Sequence, residues 1–251
     1  MSKTVIITGA SKGIGLGTTE SLLKEGHNVF LVARTEEPLR KLKEKFGERV
    51  GYTVADLADF ETGPKVISQA LAIFKTIDAL IINHGVLTPM NRIADSTPSE
   101  WRSLYNVNVF SALALLPAAI PPLRATNGRI ILISSGAATS AYSTWGAYGS
   151  SKASLNHLAL TLSVEEPLIT SIAIRPGTVD TEMQAQIRNM GRGVMDEKDE
   201  KKFAGLHAKG ELLSPVLVGG VLGRVAVGGR DEGLSGRFLS WNSEELKAYQ
   251  E

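Results

Sequence analysis

Tyr148-Gly149-Ser150-Ser151-Lys152 lies in a stretch whose residue pattern predicts a helix. Residues four apart share one helical face, so a phenol and an ammonium become neighbours. Tyrosine titrates near pH ~10, and a nearby positive charge favours phenolate, each tenfold change in proton affinity being worth about 1.36 kcal/mol. The pair is therefore a candidate for moving a proton to or from a reacting oxygen. The competing reading is a half-buried tyrosine beside a solvated lysine. A hydroxyl joins them from elsewhere. The strand-like run Arg129 to Ile133 ends in Ser134-Ser135-Gly136, at the carboxyl end where open α/β sheets bind ligands. A serine there can hold a carbonyl oxygen beside the phenol, although turn or cap chemistry uses the same residues.

A second constellation follows the first strand-like run, in Thr8-Gly9-Ala10-Ser11-Lys12-Gly13-Ile14-Gly15-Leu16-Gly17. Glycines here allow a tight turn and let backbone approach a pyrophosphate, while the amides opening the next helix face the phosphates. The spacing of Gly9, Gly13 and Gly15 differs from the common G-x-G-x-x-G fingerprint. The same residues satisfy G-x-S-x-G, which would make Ser11 a hydrolase nucleophile. That reading requires a histidine at a strand end, and the chain offers His27, His84, His157 and His207. About 20 residues beyond the turn, an NAD site would place an acid at the end of the second strand. Here the strand ends in Val32-Ala33-Arg34-Thr35, and Arg34 together with Lys12 would favour the 2′-phosphate of NADP. Asp56, in Val54-Ala55-Asp56-Leu57, is suited either to accept from an adenine amine or to cap the next helix.

Positioning these groups calls for a particular scaffold. Strand-like runs occur at Thr4 to Thr8, Asn28 to Ala33, Val50 to Val54, Ala79 to Ile82, Arg129 to Ile133, Ser171 to Ile174 and Gly236 to Ser240. Amphipathic stretches such as Ile14 to Lys24, Glu37 to Phe46 and Pro215 to Val227 lie between them. Continuous apolar strands alternating with helices predict an α/β, doubly wound (Rossmann) fold, a single domain with a parallel sheet of about seven strands and helices on both faces. Prolines 117, 121 and 122 fall within the apolar run Ala112 to Leu123 and would each disturb a helix there. The least regular region, Gln184 to Ser214, mixes glycines with the charge run Asp196 to Lys202. It reads as a solvated surface or as a lid over the site.

Composition narrows the classes. The chain of 251 residues is 43% hydrophobic, 21% charged and 6% aromatic, as in an ordinary globular protein. Lys plus Arg number 27 against 26 Asp plus Glu, so no overall charge draws it to nucleic acid or an anionic membrane. Cysteine is absent, which excludes disulfides, thiolate metal sites and a cysteine nucleophile, and no metal site is expected. The 12-residue run Ala112 to Leu123 is shorter than the ~20 residues that a membrane span needs. Met1 to Thr4 leads straight into Val5-Ile6-Ile7, too short for a signal-peptide core, and a cytoplasmic location is the expectation.

The ordered set Thr8-Gly9-x-x-x-Gly13-x-Gly15, Asp56, Asn83-His84-Gly85, Asn108, Ser135, Tyr148-x-x-x-Lys152 and Pro176-Gly177 resembles the short-chain dehydrogenase/reductase family across nearly the whole chain. The resemblance implies a reductase using NADP(H) on a small-molecule carbonyl substrate. It makes Tyr148 the general acid, Ser135 the residue orienting the carbonyl oxygen, and Lys152 the ribose contact that lowers the phenol's pKa. Asn108 would hold a proton-relay water. The interval of 13 residues from Ser135 to Tyr148 matches the family and selects Ser135 over Ser134. Ile14 and Leu57 join Gly9, Ser11, Lys12, Gly13, Gly15, Arg34 and Asp56 as implied cofactor contacts, with Asn83 and Gly85 lining the groove. Pro176, Gly177, Thr178, Val179 and Thr181 would serve the nicotinamide. His84 departs from the family's usual alanine. A homodimer or homotetramer packed through the helices of Asn108 and Tyr148 is also implied.

Glu165-Glu166-Pro167, Pro176 to Gln184 and Ala208 to Leu212 further resemble the sepiapterin reductases and related benzil reductases within that family. Sepiapterin reductases anchor the pterin with an aspartate near the carboxyl terminus, and Gly236 to Asn242 contains no acid. The expectation is a less polar ketone or diketone, walled by Tyr142, Trp145, Met183 and Trp241. A pterin reductase is one alternative. A non-catalytic NADP-binding sensor is another.

Overall fold

The computed structural model describes residues Met1–Glu251. Seven strands, β1 (Thr4–Thr8), β2 (Asn28–Ala33), β3 (Val50–Val54), β4 (Ala79–Ile82), β5 (Arg129–Ile133), β6 (Thr170–Arg175) and β7 (Phe238–Ser240), form one sheet. Their order is β3-β2-β1-β4-β5-β6-β7 and every pairing is parallel. The sixth strand is longer and the seventh shorter than the sequence predicts.

Strand side chains alternate between faces, and both faces here are covered. Val5, Ile7, Val29, Leu31, Ile131 and Ile133 enter one core with α1 (Gly13–Lys24), α2 (Glu36–Phe46) and α9 (Pro215–Val227). Ile6, Phe30, Val32, Ile130 and Leu132 enter the other with α3 (Thr62–Phe74), α5 (Ser111–Thr126) and α6 (Gly146–Glu165). This is why the strands read as unbroken apolar runs. A doubly wound parallel sheet results, as the sequence predicts.

The prolines do not interrupt α5. Pro117 and Pro121 lie on its exposed side, where water can satisfy the carbonyls that lose an amide partner, while Leu115, Leu116, Ala119 and Leu123 stay buried. Moreover α4 (Pro98–Tyr105) runs through a π-helical turn, Asn106–Phe110, directly into α5. The continuous run Pro98–Thr126 is thereby long and apolar enough to cross a membrane by length and composition. Counting uninterrupted apolar residues missed this, and one face of the run is spent on the second core.

Gln184 to Ser214 is also more ordered than predicted. It contains most of α7 (Glu182–Met190) and all of α8 (Glu197–Ala208), and the charge run is the solvated side of a helix whose Phe203 is buried. Phe203, Ile187 and Met195 join Leu87, Met90, Trp145 and Tyr148 in a third apolar cluster. That cluster roofs the carboxyl end of the sheet.

Candidate active site

The end of β5 separates two adjacent serines. Ser134 is buried and donates to Asn156 Oδ1 at 2.6 Å, tying the strand to α6. Ser135 faces the other way, and its Oγ accepts the Ala137 amide at 3.1 Å, so it does cap the short turn Gly136–Ala138. It also lies beside the Tyr148 hydroxyl, whose pKa it draws down.

Tyr148 occupies the first turn of α6 and is 6% exposed. Its hydroxyl lies 3.9 Å from Met183 Sδ. Lys152, one turn further, is buried, with Nζ donating to the Ile133 carbonyl at 2.8 Å and lying 5.8 Å from the Tyr148 ring centroid. Burial lowers the Lys152 ammonium to about 8. Burial raises the Tyr148 phenol, against the opposing Ser135 hydrogen bond. The expected lowering of the phenol by Lys152 is therefore not what this structure shows: desolvation dominates, and Lys152 is committed to a carbonyl. The result is a phenol that stays protonated, the form a proton donor requires.

Asn108 sits in the π-helical turn with all of its amide engaged. Oδ1 accepts the Val86 amide at 2.8 Å, and Nδ2 donates to the Val86 carbonyl at 2.9 Å and Ser151 Oγ at 3.1 Å. It clamps the segment after β4 to α6. His84, the departure from the family pattern, bridges two elements. The Ser111 hydroxyl donates to the Val107 carbonyl at 2.5 Å, so its oxygen accepts from His84 Nε2 at 2.6 Å, which leaves Nδ1 facing Thr8 Oγ1 at 2.7 Å. A neutral imidazole fits both ends when the Thr8 hydroxyl donates to Nδ1 at 2.7 Å rather than to the Ile81 carbonyl at 3.2 Å. Burial, with Lys152 adding to it, lowers the His84 pKa to about 4.

A groove of about 310 Å³ passes along the ends of β1, β2, β4 and β5. Arg34, Asp56 and Leu57 line one end, Gly9, Ser11, Lys12, Gly13 and Ile14 the middle, and Asn83, Gly85, Tyr148 and Lys152 the other. Pro176 and Thr181 close its side. Gly9 has φ +66°, and a Cβ at Gly15 would come within 2.3 Å of the Gly9 carbonyl oxygen, so the turn folds back onto the opening of α1 only because both are glycine. Asn83 Nδ2 holds the turn by donating to the Thr8 and Gly9 carbonyls at 3.1 and 3.2 Å. A dinucleotide fits this cradle of close backbone at a helix N-terminus, with a tyrosine and a lysine at the far end.

Several expectations change. Lys12 lines the groove and pairs with Glu182 across it, and Arg34 stands at the ribose end. Asp56 does not cap α3, which begins at Thr62; its Oδ1 accepts the Ala58 amide at 3.0 Å in a local turn. Gly15 lies under the turn, while Gly177 and Val179 line the neighbouring cavity. Ser11 has no histidine partner, because His84 is committed to Thr8 and Ser111, and the hydrolase reading fails.

The neighbouring cavity, of about 410 Å³, meets the groove at Tyr148. Tyr142, Trp145, Met183 and Trp241 all line it, as the sequence suggested. Gln184, Ile187 and Phe203, from the segment read as a surface or lid, line it too. Phe203 stacks on Trp145 with centroids 5.4 Å apart and an interplanar angle of 21°. Arg175 and Asn242 were missed. The apolar Phe203 ending a charged run was a legible sign, whereas nothing local marks Arg175.

The short chain dehydrogenase family profile matches residues 3–191. An uncharacterized oxidoreductase of Saccharomyces cerevisiae is 40% identical over 98% of this chain and 98% of its own. A benzil reductase ((S)-benzoin forming) of the same yeast is 34% identical over 100% of both chains. The crystal structure of a short chain dehydrogenase/reductase from Saccharomyces cerevisiae superposes with a TM-score of 0.96 at 39% identity, covering 99% of each chain. With the parallel seven-stranded sheet, the glycine turn and the serine–tyrosine–lysine cluster already in place, these matches make the chain an oxidoreductase that belongs to the short-chain dehydrogenase/reductase family.

Proposed function

We propose that the protein is an NADPH-dependent reductase of aryl ketones and diketones. The observation that carries this is the position of Tyr148, which lines both the dinucleotide-shaped groove and the aromatic cavity and has Ser135 beside its hydroxyl. The groove residues Arg34, Asn83 and Lys152 would hold NADPH, which when bound would supply the hydride for the carbonyl carbon. Ser135 holds the carbonyl oxygen, and Tyr148 gives that oxygen its proton, completing the alcohol. Lys152, anchored on the Ile133 carbonyl, keeps a positive charge near the phenol and within reach of the ribose side of the groove. Asn108 fixes the Val86 segment and α6 so that this geometry persists.

Arg34 supports the phosphorylated cofactor, since its guanidinium stands at the end of β2 where an acid would otherwise receive the ribose hydroxyls. The aromatic wall of Tyr142, Trp145 and Phe203 suits an aryl group, in keeping with the similarity to a benzil reductase. The cavity is lined by no carboxylate, which weighs against a pterin anchored by an acid. The test is NADPH oxidation with benzil by wild type and Tyr148→Phe. A loss of about 10²- to 10⁴-fold, with NADPH still bound, is expected for removal of a general acid. Undiminished turnover by the variant would reject the assignment.

A further inference from the structure

Arg175 is the one charged residue lining the aromatic cavity. The sheet fixes its place. Ile133 pairs with Ile174, and the Ser134 amide donates to the Ile174 carbonyl at 2.8 Å, so the Arg175 backbone follows one strand spacing, about 4.8 Å, from that of Ser134. On its other side Arg175 pairs in register with Ser240, and its carbonyl accepts the Trp241 amide at 3.0 Å. Its backbone is thus held from both sides while its side chain is exposed.

Arg92, Arg124, Arg224, Arg230 and Arg237 each pair with a carboxylate, and Arg129 is spent on the Val225 and Gly229 carbonyls. Arg175, like Arg34, Arg102 and Arg192, has no such partner, and it alone of these lines the aromatic cavity, where no acid stands to supply one. A guanidinium offers a planar fork of donors that matches a carboxylate. The stacked Trp145 and Phe203 form an apolar wall of the same cavity, and Ser135 and Tyr148 line it with them.

We propose that Arg175 is an anion subsite and that the substrate class is an aromatic 2-oxo acid, its ring on Trp145 and Phe203, its 2-oxo oxygen at Ser135 and Tyr148, and its carboxylate on Arg175. This rests on the carbonyl-reductase reading and narrows it. Because Arg175 lines one cavity with Ser135 and Tyr148, it can receive a carboxylate carried by the same small ketone. Reduction adds a hydride to the 2-oxo carbon, with NADPH as the reductant, and the Tyr148 proton to its oxygen. The product is an aromatic 2-hydroxy acid.

Phenylglyoxylate and its methyl ester share the ring and the ketone and differ in charge, so the ratio of their kcat/KM values isolates the subsite. Wild type is expected to reduce both, and Arg175→Gln to lower the acid-to-ester ratio about 10- to 100-fold, the range for a lost charge-assisted hydrogen bond. Arg175→Lys, which keeps the charge without the fork, should lower it less and serves where the glutamine variant folds poorly. Added salt should depress the wild-type ratio. An unchanged ratio in both variants, or wild-type reduction of the ester alone, overturns the subsite and leaves the reductase reading standing. If neither compound is reduced, quenching of tryptophan fluorescence by phenylglyoxylate in the NADP complex decides. Quenching that is lost in Arg175→Gln supports the subsite, and no quenching in wild type overturns it, while turnover of benzil decides the reductase reading separately.

Discussion

His84 Nε2 lies 2.6 Å from Ser111 Oγ, and this contact joins the end of β1, through Thr8, to the π-helical turn that carries Asn108. The imidazole is neutral there because burial and the Lys152 charge hold its pKa at about 4. An unfolded histidine titrates near 6.5, so between these values the unfolded chain binds the extra proton. Stability is therefore lost as the pH falls from about 6.5 to about 4, by up to about 3 kcal/mol. His84→Gln, which cannot titrate, should flatten this part of the profile in denaturant unfolding. Parallel pH dependence in the two proteins would refute the linkage.

The two serines at the end of β5 should separate activity from stability. Ser135→Ala is expected to cut kcat by about 10²-fold or more, as for loss of an oxygen-orienting donor, with little change in unfolding. Ser134→Ala removes the 2.6 Å bond to Asn156 and should cost about 1–3 kcal/mol of stability. Steady-state kinetics and thermal unfolding on the same preparations check both, and the opposite pattern would reverse the assignment.

Arg34 stands at the ribose end of the groove, and Lys12 pairs with Glu182 across it. Arg34→Asp should weaken NADPH binding about 10- to 100-fold and bring NADH to parity or preference. Fluorescence titration with both cofactors is the measurement. An unaltered preference would mean that another group reads the 2′-phosphate.

The alkaline limb of reduction should belong to Lys152. Its ammonium is lowered to about 8 by burial, whereas burial raises the Tyr148 phenol, so the lysine loses its proton first as the pH rises. The kcat/KM profile is expected to fall with a midpoint near that value, and Lys152→Arg to move the limb upward. A wild-type profile flat well past this midpoint would contradict the role.

The covered sheet, the boundaries of its first five strands and the glycine turn were legible in the sequence because each depends on local pattern. Alternating core faces make β1, β2 and β5 unbroken apolar runs, and Gly9 and Gly15 are required by backbone contact at the turn itself. The spacing of Ser135, Tyr148 and Lys152 is likewise fixed by one strand end and one helix face. What only the tertiary structure decided is which groups each side chain meets. Ser134 meets Asn156 and Ser135 meets Tyr148, two different turns of α6, and desolvation rather than Lys152 raises the Tyr148 phenol. Lys12 turns to Glu182, and Arg175 enters the aromatic cavity, through segments distant in the chain that fold together at the carboxyl end of the sheet. Such meetings follow from packing and burial over the whole molecule, and no local spacing encodes them.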